Sequence, residues 1–461
     1  MKLPAVRPAL AALAAAAVLA APGAALGETI REIVVVDNSK TTDDTVIYIA
    51  GIEEGDDWDE GVQEKVRTEL VSSGLFKEVD LYSEPHPKGG VKITIIAKDK
   101  HSWVVAPTFY NQPTNKGGGV GFGENNLFGE NKKLLLYGQI ATGDSFFVGG
   151  YVDPSIRGTP FSWAADVFLR YERIIEYDAP LKLTSKVEPL RESKMMYLNS
   201  GVKLGVTLFR SLKLEQRLRG AKVAFYKTTL REGRTEEEVC GGPCPDGRVP
   251  EPGKEGWDIS TESILTFDRR ANWYGITSGS KIKLAYEKAL PSLGSDFDYW
   301  YTTFSFERAR RYFSRHNFII RGMAGYGDDL PFQHEYSGGG TSLRGYKNKQ
   351  FRGDFKVAGN LEYSVPLFTI AGFSMRGLAF FDSTYVTFLD SDRGDHGRNY
   401  LPNHSAALDN VSNFAPFKNS VGAGLRLYVR QIVLPLLGLD FGYGLEGGGI
   451  EMYFAIGLTD F

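Results

Sequence analysis

From about His101 to the C-terminus, apolar and polar residues alternate with period two in sixteen segments, and helical periodicity is almost absent. The segments span approximately 103–112, 118–127, 132–142, 145–157, 161–177, 193–210, 212–230, 257–270, 278–293, 297–313, 316–329, 355–367, 374–386, 418–431, 434–446 and 450–461. Successive side chains of a strand point to opposite faces, so this pattern means strands with one apolar face. Most segments reach the ~9–11 residues that a tilted strand needs to cross a bilayer. In one of the clearest, Val421, Ala423, Leu425, Leu427 and Val429 share a face, and Ser420, Gly422, Gly424, Arg426, Tyr428 and Arg430 share the other. The next segment repeats this with Leu437, Leu439, Phe441, Tyr443 and Leu445 against Gly438, Asp440, Gly442, Gly444 and Glu446. In the last, Ile450, Met452, Phe454, Ile456 and Leu458 form the apolar set.

A soluble β-sandwich would also alternate, with its polar face toward water. Sixteen aromatic-rich segments, an even number, point instead to a transmembrane antiparallel β-barrel over residues 101–461. The long connections (231–256, 330–354 and 387–417) are expected to be extracellular or lumenal, and the short ones periplasmic. No stretch after the first residues approaches the ~18 consecutive apolar residues of a spanning helix.

The opening MKLPAVRPALAALAAAAVLAAPGAALG combines Lys2 and Arg7 with an alanine-leucine core and small residues at its end. It reads as a secretory signal over residues 1–27. Its two cations and no acids mean that the formal charge of −3 becomes −5 on its removal. That balance does not suit a nucleic-acid binder.

Residues 28–100 read as a small α/β module. ETIREIVVV predicts a strand, DDTVIYIAGI a short helix, and DWDEGVQEKVRTELVSSG a longer one stopped by Gly74. Val62, Val66, Leu70 and Val71 are expected on the buried face of the longer helix. LFKEVDLYSE and GGVKITIIAKD then alternate as two strands joined by a Pro/Gly turn.

Chemistry-bearing motifs are few. Cys240 and Cys244, in CGGPC, have no further metal ligands nearby and suit a local disulfide in an exposed loop of an exported protein. The six histidines show no metal spacing, and no Ser/His/Asp set is recognisable on one face. GVGFGENNLFG lacks the Lys-Ser/Thr of a phosphate loop, and DSDRGDHG (390–397) lacks the closing Glu of a calcium loop. Neither a cofactor nor a metal is expected.

One stretch stands out. SGGGTSLRGYKNKQFRGDF, Ser337–Phe355, places a glycine run and several cations between two strand segments. Arg344 offers a planar fork that fits a carboxylate. Strand parity turns Glu362 and Asp382 inward, into the lumen such a loop would enter. The residues alone leave open a docked loop or a solvated surface loop. Pro107 removes a ladder donor from the first barrel strand and Gly457 lies in the last, so the closing seam is either weakly bonded or bounded by ordinary strand-end residues.

Five barrel segments, in order, resemble the BamA/TamA superfamily of outer-membrane barrel assembly and transport proteins. They are GFGENNLFGENK (Gly121–Lys132), GGGTSLRGY (Gly338–Tyr346), GNLEYSVPL (Gly359–Leu367), LAFFDSTYV (Leu378–Val386), and VGAGLRLYV with LGLDFGYGLE (Val421–Val429 and Leu437–Glu446). LVSSGLFKEVDLY and GGVKITIIAKDK are similar to a POTRA domain, which places one such domain at 28–100. The resemblance implies a lumenal loop anchored through Arg344, Gly345 and Tyr346, with Glu362, Asp382 or both as carboxylate partners. It also implies a non-enzymatic protein in the bacterial outer membrane with its POTRA domain in the periplasm. Its partners would be membrane lipid and unfolded outer-membrane or secreted polypeptide, with periplasmic chaperones or accessory lipoproteins beside them and no nucleic acid. The alternative is a passive channel or surface antigen whose loop plugs the lumen.

Overall fold

The computed structural model describes residues 28–177, 188–209, 211–273, 276–313, 315–370, 372–389, 417–429 and 435–456. The chain divides into two compact units: one holds the N-terminal residues to His101 together with Phe128–Asn131, and the other holds the rest.

In the smaller unit, strand β1 (Glu28–Val36) is followed by helix α1 (Asp43–Ala50), β2 (Asp57–Trp58), helix α2 (Glu60–Ser72), β3 (Phe76–Pro85) and β4 (Val91–Asp99). The sheet order is β2-β1-β4-β3, with β1 parallel to β4 and β3 antiparallel to it. The two-residue β2 is too short to show alternation, and the sequence gives no sign of it. Thr42 caps α1 by accepting from the Thr45 amide, and Asp59 caps α2 by accepting from Val62 at 2.8 Å. Val46, Val66 and Leu70 are sealed against Ile30, Ile93 and Ile95 of the sheet. Val71, expected on that face, is 57% exposed. Each helical residue turns by about 100°, so the position after Leu70 swings off the buried stripe.

The larger unit is a closed antiparallel barrel of sixteen staves. Its first five strands are β5 (Trp103–Gln112), β6 (Asn115–Leu127), β7 (Lys132–Ala141), β8 (Asp144–Asp153) and β9 (Phe161–Tyr177). Next come β10 (Pro189–Phe209), β11 (Leu212–Leu230), β12 (Gly256–Asp268) with its short extension β13 (Ala271–Trp273), β14 (Ile276–Ala289), β15 (Trp300–Tyr312) and β16 (His316–Asp328). Between β16 and the next stave, β17 (Tyr336–Gly338) and β18 (Phe351–Gly353) form a separate two-stranded piece. The last staves are β19 (Phe355–Ile370), β20 (Phe373–Thr387), β21 (Lys418–Val429), β22 (Pro435–Gly444) and β23 (Ile450–Ile456). Every expected segment is matched by a strand. The ends that differ most are those of 145–157, which stops at Asp153, 278–293, which stops at Ala289, and 193–210, which starts at Pro189, while the last strand is described only to Ile456.

We call the barrel end at which β5 begins the base and the opposite end the rim. The three long connections all leave from the rim. Two other rim connections are tight: Gln112 is followed by strand again at Asn115, and Ala141 at Asp144. Long and short connections therefore do not separate fully between the two ends. The outer surface carries Val202, Leu204, Leu284, Phe304, Leu361, Phe381 and Phe441, all substantially exposed, as a lipid-facing surface should be. DSDRGDHG lies outside the described residues, as do residues 1–27.

Closure joins β23 to β5 through Phe454↔Asn111, Ala455↔Tyr110 and Ile456↔Phe109. Pro107 lies further along β5, paired on its other side with Val120 of β6. Gly457 is outside the described residues, so the proposed seam pair is seen only in part.

Candidate functional site

The segment from Asp329 to Asp354 folds back into the barrel. A short turn (Phe332–His334), the β17–β18 pair and a single turn at Gly340–Ser342 give it internal structure. It also brings its own apolar core. Leu330, Phe332, Tyr336, Leu343, Tyr346 and Phe351 pack with wall residues that include Ile174, Val223, Phe225 and Val386. A barrel this wide is expected to enclose water; here loop side chains fill part of it.

Arg344 sits at the loop's far reach, 4% exposed. Its Nε donates to Asp382 Oδ2 and its Nη2 to Asp382 Oδ1, both at 2.8 Å. The third arm, Nη1, donates to Asp440 Oδ2 at 2.9 Å. The guanidinium also lies over the Phe380 ring, 3.2 Å from its centroid. Asp382 accepts further bonds from Asn360 at 2.6 Å and Ser420 at 3.4 Å. Asp440 is shared with Arg426, which donates to both of its oxygens at 2.5 and 2.8 Å. Two buried cations thus face two buried carboxylates, and the planar fork lets one cation serve both.

The next two residues complete the seat. Gly345 has φ of 93°, and a Cβ there would lie 2.3 Å from the Gly444 amide nitrogen. Across the contact, a Cβ on Gly442 would lie 2.7 Å from that of Arg344. The inward glycines of β22 therefore form a floor flat enough for the loop backbone to lie on. The Gly345 amide donates to the Tyr453 hydroxyl at 3.0 Å. The Tyr346 hydroxyl lies 3.0 Å from Glu446 Oε2 and accepts from the Glu446 amide at 3.1 Å.

The remaining loop cations are also matched. Lys347 pairs with Glu451 of β23, and Lys349 with Glu172 of β9. Arg352 lies 3.5 Å from Glu335 within the loop. Nearer the stem, His334 Nε2 is 2.8 Å from Asp258 Oδ2. Asp258 belongs to a buried group in which Arg219 donates to Glu287 at 2.6 Å and Tyr299 donates to Asp258 at 2.8 Å.

Of the residues expected in the anchor, Arg344, Gly345, Tyr346 and Asp382 are brought together. Glu362 is a correction: it faces inward as its parity requires, but its ion-pair partner is Arg321 at 3.6 Å. It stands opposite Phe380, whereas Asp382 stands opposite Asn360. Glu362 is therefore one pleat repeat further toward the base than the level that Arg344 reaches. Asp440, Arg426, Tyr453, Glu446 and the glycine floor were not assigned to the site from sequence. The alternation of 434–446, which puts Asp440, Gly442 and Gly444 on the inner face, was the available signal. Cys240 and Cys244 form a disulfide in the rim connection after β11, with Cα atoms 5.3 Å apart.

An antiparallel barrel with an apolar outer surface and a charged loop pinned inside its lumen defines a class of outer-membrane β-barrel proteins. Within that class, residues 126–458 match the Omp85 superfamily domain, and the chain belongs to this superfamily. Among solved structures, it is similar to BamA from Haemophilus ducreyi lacking POTRA domains 1–3, with TM-score 0.63 and 16% identity over 94% of this chain and 84% of that one. It is also similar to CdiB from Escherichia coli, with TM-score 0.60 and 15% identity over 94% of this chain and 77% of that one. CdiB from Acinetobacter baumannii gives 0.59 and 14% over 94% and 74%. At these identities the likeness is one of fold. No curated protein matches the chain by sequence.

Proposed function

We propose that this chain inserts or translocates polypeptides at the bacterial outer membrane, without enzymatic chemistry or a cofactor. One observation carries the reading: in an Omp85 barrel, a loop that could occlude the lumen is held by a compact, separable set of charges, Arg344 between Asp382 and Asp440. Apolar packing of the loop on the wall supplies much of its hold, whereas the buried ion pairs add little net stability and instead fix one arrangement of the tip among several.

Residues 28–100 serve as a POTRA domain in the periplasm. The order of strands and helices supports this, as does the likeness in fold, over most of the chain, to a BamA lacking POTRA domains 1–3. In the sheet order β2-β1-β4-β3, β3 is an edge strand with one side unpaired, and an unfolded segment would add there as a further strand. The substrate is therefore an extended polypeptide, delivered by periplasmic chaperones or presented by accessory lipoproteins.

The test is depletion of the protein followed by an inventory of outer-membrane and secreted proteins, with a photo-crosslinking residue placed at Tyr82 on β3. Loss of a defined set of proteins, some of them crosslinked through position 82, is expected. An unchanged inventory, with ion conductance that rises on deleting 330–354, would instead identify a plugged passive channel.

A further inference from the structure

On β15 the even-numbered residues face outward: Trp300, Thr302, Phe304, Phe306, Arg308, Arg310 and Tyr312. Aromatic residues stand at both ends, as in the two girdles of a membrane barrel. The thirteen residues from Trp300 to Tyr312, twelve steps apart end to end, cover ~41 Å along the strand and ~31 Å in height at a tilt near 40°, roughly the membrane itself. Tyr312, which ends the strand, is at the base. Arg310 then lies ~5 Å and Arg308 ~10 Å above it, the latter within the outward apolar surface.

Both arginines are exposed, and among the described residues neither guanidinium has an ion pair or hydrogen bond. Arg308 stands beside Ser280 of β14 and Ile320 of β16, and Arg310 beside Phe318. Among the described residues, no carboxylate stands near Arg308 and Arg310 on the outward face of β14, β15 or β16: Asp328 shares that face but lies at the rim end, opposite Trp300, and Glu307 points inward to Arg270 and Arg321. Ser278 and Ser280 add hydroxyls on one side, and the aromatic tip adds Tyr312 and Phe313, which is 82% exposed. Next to it, His316 is 2.6 Å from the Tyr363 hydroxyl. A lipid-facing arginine with no protein counter-charge is unfavourable unless it bends toward the interface and meets an anion there.

We propose that Arg308 and Arg310, with the Ser280 hydroxyl, bind the phosphate-bearing headgroup of an anionic phospholipid in the leaflet at the barrel base. This rests on the reading of the chain as an outer-membrane protein with its base in the periplasmic leaflet. Snorkelling brings both guanidiniums to the same headgroup level, and the exposed Phe306 and Phe313 flank the acyl chains beneath and beside it.

The test reconstitutes the full chain in bilayers of phosphatidylcholine containing a minor fraction of phosphatidylglycerol, and reads by native mass spectrometry which lipids remain bound. The wild type is expected to retain phosphatidylglycerol at least fivefold over its bulk fraction. The Arg308→Gln/Arg310→Gln variant should fall to the bulk ratio, and Arg308→Lys/Arg310→Lys should keep most of the enrichment. Lys222→Gln, which removes an outward cation near the rim, should leave it unchanged. Heat-modifiable migration of each variant reports an inserted barrel. An inserted wild type with no enrichment, a Gln variant that keeps it, or displacement of the lipid by excess inorganic phosphate would each overturn the proposal. None of these readouts involves polypeptide transport, so the lipid site can fail while the transport reading stands, and the reverse.

Discussion

Replacing Arg344 by alanine is the sharpest test of the seated loop. The substitution removes three side-chain bonds to two carboxylates and the packing over Phe380, and leaves Asp382 buried with only neutral side-chain partners, Asn360 and Ser420. Breaking a buried ion pair from one side costs about 3–5 kcal/mol, because the surviving charge stays desolvated. Asp440 softens the loss, since Arg426 still holds both of its oxygens. A cost near 4 kcal/mol moves the ratio of seated to unseated loop tip by roughly three powers of ten. Hydrogen–deuterium exchange over 338–350 should show that change at Gly345, whose amide is held by Tyr453 in the seated state. The stem should stay protected through His334 and Lys349. Arg344→Lys should recover under half the loss, because an ammonium reaches one carboxylate and cannot reproduce the fork. Asp382→Ala should resemble Arg344→Ala, while Glu362→Ala, whose ion pair is with Arg321 and not with Arg344, should leave the tip seated. Wild-type protection with full transport in both Arg344→Ala and Asp382→Ala would refute the anchor. Equal damage from Glu362→Ala would refute the assignment of its partners.

Three further outcomes are expected. In the isolated 28–101 segment, Leu70→Ala should cost about 2–5 kcal/mol by urea unfolding, whereas Val71→Ala on the neighbouring exposed position should stay within about 0.5 kcal/mol. Asp99 accepts bonds from Ser39, from the Lys40 amide and from both groups of Thr41; burial acts to raise its pKa, but these bonds outweigh it and hold the carboxylate below its ordinary range. Its contribution is therefore present above about pH 4 and lost as pH falls through the lowered value, so melts of the segment between pH 6 and 2 should decline more steeply for wild type than for Asp99→Asn. Cysteines at Tyr110 and Ala455, which pair across the seam, should crosslink on oxidation and block transport in a barrel that still migrates as folded; transport unaffected by a complete crosslink would show that the seam stays shut during function.

The barrel was legible because its medium imposes the pattern. Lipid demands an apolar side chain at every second position, so each stave announces itself over ten or more residues and its inward face follows by parity. The same parity correctly turned Asp382 and Glu362 into the lumen, but parity has no height. Which of the two meets Arg344 depends on how far the loop travels along the barrel wall, and that is set by tertiary facts: the β17–β18 pair, the apolar packing of Leu343 and Phe351, and the glycines of β22. Asp440 was hidden for a related reason. It lies far along the chain from the loop and becomes its neighbour only when β20, β21 and β22 align as adjacent staves.

The seat itself combines two kinds of specificity with different tolerances. Charge pairing is permissive in position, since Arg344 can reach carboxylates on either of two strands and Asp440 can be shared with Arg426. The glycine floor is not permissive: with Gly345 at φ 93° and its backbone against Gly442 and Gly444, even one methyl group forces the loop away from the wall. The steric fit therefore defines a single seated position, and the charges act only once that position is reached. Under the proposed function, the loop tip would leave this seat as a unit while the stem stays docked, exchanging the buried carboxylates' cation for water and whatever cation the lumen then offers. That is the behaviour expected of a latch that polypeptide cargo, rather than thermal motion, has to open.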